Sequence, residues 1–216
     1  MDSGRLEAFS DGVFAVAITL LVFGLAVPQP GREPLGEQLA SHWPSFGAYV
    51  VSFLTIGIIW VNHHAMFRNF AAVDRVVLFL NLLLLFFIVT IPFATATFAA
   101  YLRQRGADAS LAAAIYEGVF LGMSISFGVL LWWAIRREHL KVKLTGAAAR
   151  SAMIRFGGGN LAYAASVGIA YLSPLAALVV SGLLAVYYMF EQTPTHRLAA
   201  SGAAAADEES RSGGSD

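Results

Sequence analysis

The amino-acid sequence predicts an all-α membrane protein with six transmembrane helices per subunit and both termini in the cytoplasm. Composition is the first reason. Of 216 residues, 57% are hydrophobic and 13% charged, and the mean hydropathy is +0.66. Soluble domains carry about 25% charged and about 45–50% apolar residues. The second reason is length: the apolar stretches approach the roughly 20 residues that a helix needs to cross a bilayer core. The third is the distribution of Lys and Arg between alternate loops, which sets orientation in a membrane. The same numbers exclude other classes. Net charge is zero, so no global basic field points to nucleic acid. Cysteine is absent, which removes disulfides, zinc–thiolate sites and thiol nucleophiles. Six spans leave no room for a soluble catalytic domain, so no enzyme is expected.

The spans are expected at about 9–27, 43–67, 76–100, 111–135, 154–172 and 175–190, together forming one transmembrane domain over 1–190. The first stops at Pro28-Gln29-Pro30-Gly31, and its flank of Asp2, Arg5 and Glu7 is unlike the basic start of a secretory signal. The last two are joined by a tight turn at Ser173-Pro174. With the amino terminus inside, the inner segments hold eleven cations: Arg5, Arg68, Arg75, Arg136, Arg137, Lys141, Lys143, Arg150, Arg155, Arg197 and Arg211. The outer loops hold three, Arg32, Arg103 and Arg105. Residues 191–216, rich in Ala, Gly, Ser and acids, are expected to form a disordered cytoplasmic tail.

Polar groups at membrane depth carry the functional information, because each is costly unless paired or wetted. Asp11 enters the first apolar run just after Arg5, Glu7 and Ser10. The second span runs inward, which brings Trp60, Asn62, His63 and His64 to the same depth, with Asp74 and Arg75 opening the third. One network joining the first three spans would satisfy all of them. Its role is a packing clamp or a proton relay. A metal site is not expected: adjacent helical residues diverge by about 100°, so His63 and His64 chelate poorly, and no HExxH spacing occurs. Glu117 reads as a structural hydrogen-bonding group, and Asn81, Thr90, Thr95, Thr97, Ser124 and Ser126 as contacts between helices. The run Arg136–Lys143 reads as a contact to anionic lipid, with Trp132 and Trp133 as interfacial anchors.

The first helix has an internal pattern. At about 100° per residue with Val16 at zero, Thr19 falls near −60°, Leu20 near +40°, Phe23 near −20° and Gly12 near −40°. These form one apolar stripe with a single hydroxyl, suited to helix packing or to a pore wall. Asp11 lies about 140° away and faces the subunit interior. No TVGYG-type filter, acidic ring or arginine-spaced voltage sensor is present, so a channel would need several subunits and a narrow apolar constriction.

The stretch Arg5-x-x-x-Phe9-Ser10-Asp11, followed by Gly12-Val13-Phe14-Ala15-Val16-Ala17-Ile18-Thr19-Leu20-Leu21-Val22, closely resembles the RxxxFSD signature of the transmembrane protein 175 family. That family comprises the endosomal and lysosomal potassium channel and its bacterial relatives. Trp60-Val61-Asn62-His63-His64 is similar to the family's second helix. The resemblance implies a homotetrameric, potassium-preferring cation channel of the bacterial plasma membrane, with the first helix lining a central pore. It places the constriction at Val16, a threonine layer at Thr19, and Gly12, Leu20 and Phe23 on the same pore face. Arg5, Phe9, Ser10, Asp11, Trp60, Asn62, His63 and His64 correspond to a structural polar network. No cofactor is implied beyond permeant K+, and the partners are further copies of the chain, monovalent cations and lipid. Family members usually carry a larger Ile or Leu where this chain has Val16, which implies a wider, more easily hydrated constriction. The alternatives are a proton-coupled transporter using Asp11, His63, His64 and Glu117, and a membrane assembly protein without transport.

Overall fold

The computed structural model describes residues 3–25, 27–104, 106–141 and 146–190. The expected tail over 191–216 lies outside them. Six long helices and one short helix follow in chain order: α1 (Ser3–Leu20), α2 (Leu35–Ser41), α3 (Trp43–Arg68), α4 (Arg75–Tyr101), α5 (Ala107–Arg136), α6 (Gly146–Leu172) and α7 (Pro174–Phe190). A 3₁₀ turn at Leu21–Gly24 prolongs α1. Among the described residues, four helical segments are long and apolar enough to cross a membrane: Gly4–Gly24, Trp43–Arg68, Arg75–Tyr101 and Ala107–Arg136. Pro174–Met189 is apolar but shorter.

Two helices begin well before their apolar runs. α1 starts at Ser3 and not near Phe9, and α6 at Gly146 and not near Ile154. Polar turns such as Arg5 to Glu7 are helical in backbone but invisible to a count of apolar residues. The short α2 was not expected. Gln38 stitches it to the preceding loop, donating to the carbonyls of Gln29 and Glu33 at 3.0 and 2.7 Å and accepting from the Gln29 N–H at 2.8 Å.

α4 and α5 pack along each other and form the centre, with α1 and α3 against α4 and with α6 and α7 beside α5. Phe67, Ile88, Ile91, Phe98, Tyr116, Phe120 and Phe127 fill the interior. At Gly122 a Cβ would run into the ring of Phe87, so glycine is what admits α4 this close to α5. Ser52, Thr95 and Tyr116 tie α3, α4 and α5 together: Ser52 Oγ lies 2.7 Å from Thr95 Oγ1 and 3.1 Å from Tyr116 Oη. Outward-facing residues are equally apolar. Phe79, Phe86 and Phe93, seven apart on α4, are all exposed, a stripe fit for hydrocarbon and costly in water.

On the remaining side of α5, Ser181 Oγ of α7 lies 2.8 and 2.7 Å from the two carboxyl oxygens of Glu117, and both residues are fully buried. This hydrogen-bonded role is the one the sequence suggested for Glu117. Ser181→Ala is expected to lower stability by roughly 1–2 kcal/mol, seen as a lower melting temperature in detergent. An unchanged melting temperature would mean that Glu117 finds another partner.

Candidate functional site

α1 divides lengthwise into two unlike sides. Leu6, Ser10, Phe14, Ala17 and Leu21 recur every three or four residues and are buried against α3 and α4. The opposite side carries Gly12, Val16, Thr19, Leu20 and Phe23, all exposed, with Val16 at 55% and Phe23 at 82%. Among the described residues, nothing beyond the neighbouring residues and backbone of its own helix lies within 4 Å of the position a Gly12 Cβ would take. The Thr19 hydroxyl donates to its own helix, to the Ala15 and Val16 carbonyls at 3.0 and 2.9 Å. That internal bond allows a hydroxyl to stand on an otherwise apolar surface while keeping a lone pair free to accept or coordinate.

The rotation of α1 is set by polar bonds on its other side. Asn81 of α4 is the hub: its Nδ2 donates to Ser10 Oγ at 2.9 Å, and its Oδ1 lies 2.8 Å from His63 Nε2 of α3. Ser10 passes its own proton to the Leu6 carbonyl at 2.9 Å. Because Asn81 presents an oxygen, His63 Nε2 donates. The His63 ring is stacked on Phe67 at 4.2 Å between centroids and lies against Phe14. Ser10, His63 and Asn81 are all fully buried, so each bond is made where no water can replace it. Nearer the surface, Trp60 Nε1 donates to Asp11 Oδ1 at 2.9 Å, and His64 approaches Glu7.

Two expectations need correction. Asp74 and Arg75 do not join this network. Asp74 caps α4, accepting from the Val77 N–H at 2.7 Å, and its other oxygen accepts from Trp133 Nε1 and His139 Nε2, both at 3.0 Å. Arg75 lies over the Phe79 ring. Trp133 is accordingly a partner of Asp74, with Arg137 above it at 4.7 Å. The clamp forms because the segments after α3 and after α5 run side by side: the Ala71 N–H donates to the His139 carbonyl at 2.7 Å and the Lys141 N–H to the Asn69 carbonyl at 2.8 Å. Second, Arg5 and Phe9 stand on the exposed side of α1, apart from the Asn81 network. Asn62 lines a cavity with Thr55, Ser124, Tyr163 and Tyr188. The hub itself, Asn81, had looked in the sequence like any polar residue between helices. Only its two partners distinguish it.

Burial opposes ionisation of Asp74, but the Val77 N–H, His139 and Trp133 outweigh it and hold the carboxyl down at about 2 from an ordinary 3.8. A carboxyl lowered by folding contributes stability above its unfolded value and loses it as pH falls through the folded one. Asp74→Ala is therefore expected to cost about 1 kcal/mol or more at neutral pH, the usual scale of a lost cap. That difference should shrink as pH falls below about 4 and be lost below about 2, followed by thermal melting in detergent. A gap that kept its neutral-pH size at and below about pH 2 would mean that the loss is one of packing.

Among the described residues, an all-helical bundle with four helices long and apolar enough to cross a membrane, apolar outward faces and a first helix keyed in by buried hydrogen bonds defines a membrane protein with a channel fold. The family model described as endosomal/lysosomal potassium channel TMEM175 matches residues 5–92. The chain is 48% identical to a protein of Streptomyces collinus named as a potassium channel, over 89% of this chain and 94% of that one. The solved structure of a lysosomal potassium-selective channel TMEM175 homolog from Chamaesiphon minutus superposes with a TM-score of 0.76 at 36% identity, covering 87% of this chain and 96% of that chain. The human protein named endosomal/lysosomal proton channel TMEM175 is 37% identical over 46% of this chain, which spans 22% of its length. The chain belongs to the TMEM175 family.

Proposed function

We propose that this chain is one subunit of a potassium-preferring cation channel in a bacterial plasma membrane. Four copies would assemble with α1 of each around a central axis, and six long helices per copy would cross the bilayer with both termini in the cytoplasm. The observation that carries this reading is the two-sided α1. One side is held to α3 and α4 by buried hydrogen bonds, and the other presents Gly12, Val16, Thr19, Leu20 and Phe23 with no covering element among the described residues. A glycine and a threonine on an exposed stripe fit close approach to another copy of the helix, as a narrow conduit requires. The printed names of the relatives support potassium as the permeant ion. Val16 forms the constriction in this account, an apolar ring that conducts when hydrated and closes by dewetting. Thr19, one turn further along, offers the nearest oxygen. The chain performs passive conduction and needs no cofactor.

The test is the reversal potential of purified protein in planar bilayers with potassium on one side and sodium on the other. A shift toward the potassium equilibrium potential that changes when Val16 or Leu20 is substituted supports the reading. Absence of current, or flux that appears only with a proton gradient, overturns it and favours a proton-coupled transporter.

A further inference from the structure

Another arrangement on α1 and α3 has no part in conduction as described. Glu7 and Asp11 stand one turn apart on α1, and His64 meets both from the carboxy-terminal end of α3. His64 Nδ1 lies 2.9 Å from Glu7 Oε1 and 3.9 Å from Asp11 Oδ2, and one donor atom from each residue falls within 4.8 Å of the other two. His64 Nδ1 is shielded from solvent yet has no hydrogen-bond partner, so its close approach to Glu7 is not aligned as a hydrogen bond. A sheltered ring nitrogen without a partner is costly, and two neighbouring carboxylates repel. One cation relieves both.

We infer that Glu7, Asp11 and His64 form a binding site for a divalent transition cation of the zinc type, bridging α1 to α3. Ligand bonds of roughly 2.0–2.2 Å in a tetrahedral site put donor atoms about 3.3 Å apart, within the range of the separations here. An imidazole nitrogen with two carboxylates suits zinc and its neighbours, whereas calcium and magnesium take oxygen alone. The supporting shell is in place: Trp60 Nε1 holds Asp11 Oδ1 and leaves Oδ2 on the side of His64, the kind of outer contact that orients a ligand. His64 Nδ1 itself is shielded, but Glu7, Asp11 and His64 keep 19, 34 and 39% of their side-chain surface exposed, so the cluster lies within reach of an ion and of water as a fourth ligand. The two histidines remain a poor chelating pair, as their spacing implies: His63 turns to Asn81 and His64 to α1. What the sequence concealed is that His64 has carboxylate partners on another helix. The site does not depend on the channel reading and is tested without conduction.

Tag-free full-length chain in detergent, stripped with chelator, would be titrated with zinc chloride by calorimetry and with cobalt chloride by absorption. The expected result is one zinc per chain, with affinity lowered at least about tenfold in Glu7→Gln and in His64→Gln. His64→Cys should keep the site and add a thiolate-to-cobalt charge-transfer band. The chain has no cysteine, so that band can arise only there. Equal zinc affinity in wild type and both Gln variants would overturn the proposal, as would a folded His64→Cys without the band. If the variants do not fold, wild type decides alone: a bound ion must raise its melting temperature, and no zinc-dependent rise would overturn the site.

Discussion

Val16→Phe is expected to lower potassium flux into liposomes by at least about tenfold while the protein folds and assembles normally. A tenfold loss corresponds to about 1.4 kcal/mol on the barrier to permeation, a small demand on the apolar constriction proposed at Val16. Val16 is 55% exposed and lies outside the buried stripe of α1, so the larger ring can extend away from the subunit core. In a pore the added volume is repeated in every subunit and pushes the constriction toward dewetting. Val16→Ile is the graded version, adding one methylene per subunit, and should change conductance or the potassium-to-sodium ratio in the direction of a tighter gate. Stopped-flow flux with a melting curve on the same preparation checks both halves. Flux that stayed at the wild-type level in Val16→Phe and in Leu20→Phe would place this side of α1 against lipid and remove the pore assignment.

The second large effect is expected at Asn81, and it is one of stability. Asn81→Leu deletes the acceptor of His63 and the donor to Ser10 together, leaving a fully buried imidazole with both ring nitrogens unpaired. Individual hydrogen bonds between membrane helices contribute on the order of 1 kcal/mol, and an orphaned buried group costs about 1–3 kcal/mol. The combined loss should be about 2–4 kcal/mol, a sharp drop in melting temperature. The double variant Asn81→Leu with His63→Phe should recover part of it, because an apolar ring fits between Phe14 and Phe67 without an unpaired nitrogen. Failure of the double variant to recover would mean that shape, and not hydrogen bonding, is what Asn81 and His63 supply. Since these bonds also set how α1 is turned, flux in any folded Asn81 variant should be altered as well.

Much of this protein was legible from its residues one at a time. Long apolar runs broken by Pro28-Gln29-Pro30-Gly31 and Ser173-Pro174 are enough to place long helices, because a backbone in hydrocarbon must satisfy itself and helices do so. The outward stripe of α1 was also readable, since 3.6-residue periodicity in one helix needs no partner to interpret. Glu117 could be recognised as a group that must be bonded without its partner being known. The helices α1 and α6 extend in front of the apolar runs at 9–27 and 154–172, because polar turns lengthen a helix without adding to an apolar run.

What remained hidden depended on pairs distant in the chain. Asp74 was drawn toward Asp11 by shared depth, but the structure places it beside Trp133 and His139, 59 and 65 residues later. Asn81 meets Ser10 across 71 residues, and Glu117 meets Ser181 across 64. Depth along the membrane normal is a one-dimensional coordinate that hydropathy supplies. Which helix stands beside which, and how each is rotated, is settled by packing in the other two dimensions, through local fits such as Phe87 over Gly122. The sequence alone therefore determined that the chain is a bundle of membrane helices with one distinctive first helix. Only the tertiary structure decided which polar side chains meet, because a hydrogen bond or a metal site requires atoms within about 3 Å, a precision that periodicity within single helices does not carry.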